Sequence, residues 1–251
     1  MKKVLLFGHR GAAGEAPENT IAAFEHALSS GMDGIELDVR LCQSGEVVVA
    51  HDAELARITC KNLPVDAYCY SDLKKLDAGA HFSEKFQGER IPLLCEVIDL
   101  FADKLVLDIE LKGRGLSSNG LEQKVISIVR EKKIQERVIL SSFNPLILRR
   151  VVALAPEIKI GLNYIDDPVA WLRRVWFFPV SRPYSIHPAP EMVDDRMLKF
   201  AKKRGALLIP WKVNSEHDIL KMLDTEADGI ISDFPSRLKK VYNVQANREK
   251  N

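Results

Sequence analysis

The chain alternates strand-length apolar runs with segments of helical period almost from end to end. The runs fall at 4–7, 34–40, 104–112, 137–143, 158–164, 184–187, 206–214 and 229–233. Helix-period segments at 20–30, 93–101, 121–131, 145–155, 191–203, 215–223 and 235–242 occupy most of the gaps. Such alternation demands right-handed crossovers and a parallel sheet. Eight strands in 251 residues suit a closed (β/α)8 barrel. An open doubly wound sheet usually has fewer strands and a glycine-rich first turn. The expected fold is therefore α/β, a TIM barrel forming one domain over 1–244, with a polar, frayed tail at 245–251. After the second strand the pattern breaks. A short extended run at 46–51 leads into a stretch at about 53–90 that exceeds an ordinary loop and lacks a strong core pattern. It reads as a small insertion, with a helix at 72–76.

Charge excludes some partners. The 36 Lys+Arg and 35 Asp+Glu leave a net +1, so no general field draws the chain to nucleic acid or to an anionic membrane. Any anion site must be local. Cys42, Cys60, Cys69 and Cys95 show neither a CxxC pair nor zinc-like spacing with histidine, and a chain of this length needs no disulfide staples. The apolar run at 4–7 is too short for a signal segment or a membrane span. The expected setting is the cytoplasm, with reduced thiols and no stable membrane insertion.

Several strands begin apolar and end polar: Leu5-Leu6-Phe7-Gly8-His9-Arg10, Ile35-Glu36-Leu37-Asp38, Val48-Val49-Ala50-His51-Asp52 and Val106 to Lys112. In a parallel barrel these carboxyl ends share one mouth, where the active sites of the fold lie. Side chains two apart share a strand face. With Ile35, Leu37 and Val39 facing the helices, Glu36 and Asp38 face inward together. By the same count Asp108, Glu110 and Lys112 point into the barrel. Glu36, Asp38 and Glu110 pairing with Arg10, Arg40 and Lys112 in a buried ionic network is the competing explanation, but such networks contribute little stability. A ligand site accounts better for so many charges at one end. Oxygen donors without cysteine suit Mg²⁺ or Ca²⁺ rather than zinc.

The same residues carry a family resemblance. His9-Arg10-Gly11, Pro17-Glu18-Asn19-Thr20, Glu36-Leu37-Asp38-Val39, His51-Asp52, Glu110-Leu111-Lys112, Trp211-Lys212-Val213-Asn214 and the run from Asp228 to Pro235 follow one another as in glycerophosphodiester phosphodiesterases. The resemblance covers nearly the whole chain. It implies a (β/α)8 barrel, one divalent cation, and hydrolysis of glycerophosphodiesters to sn-glycerol 3-phosphate and an alcohol. Glu36, Asp38 and Glu110 would hold the metal, while Arg10 and Lys112 bind phosphate. By resemblance His9 is the general base and His51 the general acid. Direct attack by water and a route through a cyclic phosphate of glycerol both stay open. Residues 55–76 resemble the family's insertion, although Ile58-Thr59-Cys60-Lys61 follows its Arg-x-Thr pattern loosely. Lys212 stands where threonine is commoner, and His187 has no family role to inherit.

Four further positions belong to substrate binding by resemblance: Glu18, Asn19, Phe143 and Trp211. Asn19 competes with a helix-cap role, and Phe143 and Trp211 with plain core packing. Asp233 reads as the cap of the last helix. Two other functions share these features. A lysophospholipase D-type hydrolase would need room for an acyl chain, for which Val175-Trp176-Phe177-Phe178-Pro179 is the conspicuous apolar loop. A non-catalytic glycerophosphodiester-binding module would lack a carboxylate or a histidine, and none is missing.

Overall fold

The computed structural model describes residues 2–113, 117–164, 182–225 and 227–248. The strands are β1 (Leu5–Gly8), β2 (Gly34–Leu41), β3 (Val47–Val49), β4 (Val106–Leu111), β5 (Val138–Ser142), β6 (Lys159–Asn163), β7 (Ser185–His187), β8 (Leu207–Leu208) and β9 (Gly229–Ser232). They form one sheet in the order β8-β7-β6-β5-β4-β2-β1-β9, parallel throughout, with β3 added antiparallel to β2. At the β8–β9 seam the Asp228 and Ile231 N–H groups donate to the Leu208 and Pro210 carbonyls at 2.8 and 3.0 Å. Val213 N–H donates to the Ile231 carbonyl at 2.9 Å. The result is a nearly closed (β/α)8 barrel, as the alternation predicts.

Helices cover the outside because each presents an apolar stripe to the strands. Helix α1 (Ile21–Ser29) starts at Thr20, whose Oγ1 accepts the Ala23 N–H, and gives way to Gly31 at φ 77°. Short helices α2 (Ala56–Thr59) and α3 (Tyr70–Leu73) lie in the insertion. Helix α4 (Leu94–Phe101) buries Leu94, Val97, Ile98 and Phe101. Helix α5 (Leu121–Glu131) precedes β5, and α6 (Pro145–Leu154) follows it, capped by Asn144 with proline in its first turn. The main core joins Phe24, Val97 and Phe101 to Ile35, Leu37, Val39, Leu107, Ile109 and Leu111. Phe24 and Phe101 meet edge to face at 5.8 Å. Truncating either to alanine would cost about 3–5 kcal/mol. The outward parity of β2 and β4 is thereby satisfied, and register pairs Glu36 with Asp108 and Asp38 with Glu110.

Five expectations need correction. The insertion has its own small core, in which Leu55, Ile58, Val65, Leu73, Leu76 and Ile91 pack with Val48 of β3. Its helix is Tyr70–Leu73 rather than 72–76, and the helix expected at 191–203 begins only at Asp195, behind the Asp194 cap. The strand expected at 206–214 shrinks to Leu207–Leu208, because Pro210 has no N–H to continue a ladder. The final helix, Pro235–Arg248, continues past 245, since no glycine or proline interrupts it and Gln245 donates to Asp224 at 3.3 Å. The apolar loop at 175–179 lies outside the described residues. All four cysteines are free. No helix among the described residues is long and apolar enough to cross a membrane.

Candidate active site

The carboxyl ends of β1, β2 and β4 bring one acidic cluster together. Glu36, Asp38 and Glu110 are buried, and each offers a ligand oxygen within 4.8 Å of the others. Lys112 bridges two of them, with Nζ 2.8 Å from Asp38 Oδ1 and 2.6 Å from Glu110 Oε1. Arg10 Nε lies 3.2 Å from Asp38 Oδ2, and the Arg10 N–H donates to Glu36 Oε2 at 2.9 Å. Burial opposes charge on Asp38, but Lys112 and Arg10 outweigh it and hold this carboxyl well below the usual range. Glu36 goes the other way: burial, then repulsion from Asp38 and Glu110, pushes it well up. Burial likewise pushes Glu110 up to about 7, despite Lys112. Two carboxyls driven toward protonation beside one held ionised is what a divalent cation would relieve. The donor set fits such an ion.

Local backbone geometry sets these groups in place. Arg10 and Asn19 adopt left-handed φ values of 47° and 58°, strain that collects at functional sites. A Cβ at Gly8 would sit 1.9 Å from the Gly11 carbonyl oxygen, so this turn requires glycine. Asn19 clasps Asp38 from both sides: its Nδ2 donates to Oδ2 at 2.8 Å, and its Oδ1 accepts the Asp38 N–H at 3.2 Å. The cap of α1 is Thr20, which leaves Asn19 to this task.

Both histidines are oriented by carboxylates. His9 Nδ1 lies 2.5 Å from Asp233 Oδ1, and its Nε2 is 3.8 Å from Glu36 Oε2. Burial raises the Asp233 carboxyl, yet the bond to His9 prevails and takes it down to about 2. Asn214 Nδ2 donates to the second Asp233 oxygen at 2.6 Å. Asp233 thus serves His9 rather than capping the last helix. His51 Nδ1 lies 2.7 Å from Asp52 Oδ1, and Arg40 donates twice to the His51 carbonyl, at 3.0 and 2.7 Å. Arg40 therefore supports the backbone that carries His51. Burial lowers the His51 pKa, only partly offset by Asp38.

The two histidines open on different spaces. His51 lines a cleft of about 640 Å³ with Arg40, Asp52, Lys112, Phe143 and Leu146. His9 borders a narrower chamber with Glu36, Glu110, Asn163, His187 and Trp211. Trp211 anchors through Nε1 to the Tyr164 carbonyl at 3.3 Å, and its ring meets Phe143 at 5.2 Å and His9 at 6.0 Å. Phe143 and Trp211 form an apolar wall of the mouth. Glu18 is occupied by two arginines, accepting from Arg10 at 3.0 Å and from Arg57 twice at 2.7 Å.

Each described residue that the sequence assigns to metal, catalysis or substrate lies at this mouth. Sequence reasoning named Asp52, Asp233, Asp108 and His187 without their partners, and it missed Arg57 and the floor that His187 and Asp108 build. That floor consists of His187, 2.8 Å from Ser185 Oγ, 3.0 Å from Asn163 Oδ1 and 3.3 Å from Asp108 Oδ2. The signal for Asp52 was its place beside a strand-end histidine. His187 and Asp108 sit on inward-facing strand positions, a signal shared with ordinary barrel filling.

A parallel barrel whose mouth joins clustered metal-type carboxylates, two cationic side chains and two carboxylate-oriented histidines defines a barrel enzyme suited to phosphate-ester chemistry. The model of the glycerophosphoryl diester phosphodiesterase family matches residues 9–237, and the chain belongs to that family. A glycerophosphodiester phosphodiesterase of Caldanaerobacter subterraneus subsp. tengcongensis is 42% identical over 238 residues, 94% of this chain and 96% of that protein. One from Bacillus altitudinis is 36% identical, over 94% of this chain and 97% of its own length. Among solved structures, an Oleispira antarctica phosphodiesterase in complex with the product sn-glycerol-3-phosphate superposes with a TM-score of 0.85 at 29% identity. That match covers 95% of this chain and 96% of the other.

Proposed function

We propose that the protein hydrolyses glycerophosphodiesters to sn-glycerol 3-phosphate and an alcohol, with Mg²⁺ or Ca²⁺ held by Glu36, Asp38 and Glu110. The observation that carries this reading is the convergence of those three buried carboxylates, with ligand oxygens within 4.8 Å of one another, beside Arg10 and Lys112. The bound ion would neutralise phosphate charge and orient a glycerol hydroxyl. Arg10 forks onto phosphate oxygens, and Lys112 adds a point charge. His9, held by Asp233 next to the narrow chamber, takes the proton of the nucleophile. His51, held by Asp52 on the wide cleft, gives a proton to the departing alcohol. The wide cleft then receives the variable head group, while Trp211 and Phe143 pack against glycerol carbons.

The direct test is product analysis with glycerophosphocholine, with and without EDTA. Glycerol 3-phosphate and choline should form only when a divalent cation is present. Release of phosphocholine instead, or undiminished turnover after exhaustive chelation, would overturn the reading.

A further inference from the structure

Arg57 stands on α2, in the insertion, and none of the residues assigned to the reaction belongs to that segment. Its guanidinium nevertheless joins two carboxylates of the mouth. Nε donates to Asp52 Oδ2 at 2.8 Å, while Nη1 and Nη2 donate to Glu18 Oε2 and Oε1, both at 2.7 Å. Each of those carboxylates holds a different group of the site. Asp52 turns its other oxygen to His51 Nδ1 at 2.7 Å, and Glu18 accepts from Arg10 Nη1 at 3.0 Å. The result is an unbroken chain, His51–Asp52–Arg57–Glu18–Arg10, from the proposed leaving-group side of the mouth to its phosphate side.

Stability does not explain this arrangement. The Arg57 side chain is 48% and that of Asp52 33% exposed, and ion pairs open to solvent contribute about 0.2–1 kcal/mol. A planar fork contacting two carboxylates at once is a positional device, which a lysine point charge cannot reproduce. The local core of Leu55 and Ile58 fixes α2 beneath it, so the fork is presented from a packed element. Burial raises the Glu18 carboxyl, but the bonds from Arg57 and Arg10 keep it below the ordinary range and available to Arg10.

We infer that Arg57 is a positioning residue through which the insertion sets the orientation of His51 and, by way of Glu18, of Arg10. The inference rests on His51 as the proton donor to the departing alcohol. Its two arms separate kinetically. Slack in His51 lowers kcat for an alcohol that needs protonation, whereas slack in Arg10 raises KM for every phosphodiester.

The test compares Arg57→Ala, Arg57→Lys and His51→Ala with the wild type on glycerophosphocholine and on the p-nitrophenyl ester of glycerol 3-phosphate. Outer partners of this kind are worth on the order of 10–100-fold. Both Arg57 variants should lose about that much in kcat on glycerophosphocholine, recover most of it on the nitrophenyl ester, and show a raised KM on both substrates. Their melting temperatures should stay near that of the wild type. Full activity of Arg57→Lys, or an equal kcat loss on both substrates while His51→Ala is rescued, would overturn the role of Arg57 and leave the proposed reaction standing. If the nitrophenyl ester fails to rescue His51→Ala, the proton-donor reading falls and the inference falls with it.

Discussion

His9 and Asp233, 224 positions apart in sequence, meet at 2.5 Å because β9 lies beside β1 in the barrel. Asp233 accepts from Nδ1, which leaves Nε2 on the side of Glu36. The pairing fixes both the ring plane and the tautomer in which Nε2 can take a proton.

Asp233→Asn should therefore fold normally and fail in chemistry. The amide can present its N–H to Nδ1 and favour the wrong tautomer, so a kcat loss of at least about 10²-fold is expected. Steady-state kinetics with a circular-dichroism control would decide. Wild-type turnover in this variant would reduce Asp233 to a packing residue.

Chelation should abolish hydrolysis, and each of Glu36→Gln, Asp38→Asn and Glu110→Gln should depress it severely in a folded protein. An ion held by the folded state stabilises it by linkage, so Tm should rise as Mg²⁺ or Ca²⁺ is titrated into the metal-free protein. A Tm indifferent to both ions would remove the metal from this cluster.

His9→Ala and His51→Ala should each lose on the order of 10²–10⁴ in kcat on glycerophosphocholine. The double variant should be little worse than the worse single one, since groups acting as one unit are strongly non-additive. Fully multiplicative losses would mean that the two histidines do not share a rate-limiting step.

His187 predicts a pH effect on stability. Burial lowers its pKa from the ordinary 6.5 to about 3. Between those values the unfolded chain binds the extra proton, so stability falls with falling pH, by up to about 1.4 kcal/mol per unit. Asp108, pushed up to about 7 by burial and 3.3 Å from His187, acts with the opposite sign, and it is present in the variant as in the wild type. His187→Gln should thus lose less stability than the wild type between pH 6.5 and 4.5, measured by urea unfolding. Parallel pH profiles for the two proteins would contradict a neutral buried His187.

Much of this site was legible because strand parity is a strict rule. Once Ile35, Leu37 and Val39 are assigned to the helix side, Glu36 and Asp38 have only the barrel interior left, and β4 repeats the logic with Glu110 and Lys112. Asp233 was not legible in this way. Aspartate just before Phe234-Pro235 has the local pattern of a helix cap, and only barrel closure reveals His9 next to it. Pro210 hid the end of β8 for a related reason, since an apolar run does not show where the ladder stops. Arg57 lay in a segment whose core forms from scattered positions, Leu55, Ile58, Val65 and Leu73, with no single period to read.

The bridging position of Lys112 has one more consequence, in unit charges. As ligands of an ion, with all three ionised, Glu36, Asp38 and Glu110 would supply three negative charges, against two positive ones from Arg10 and Lys112 in contact with them: 3 − 2 = 1 negative charge would remain on the cluster. A divalent ion held there would turn that into one positive charge, equal and opposite to a phosphodiester. The monoester left after cleavage carries about −1.5 to −2 near neutral pH. The ion-binding cluster would thus balance the charge of the substrate and be exceeded by that of the product, so hydrolysis itself would loosen its grip on what it makes.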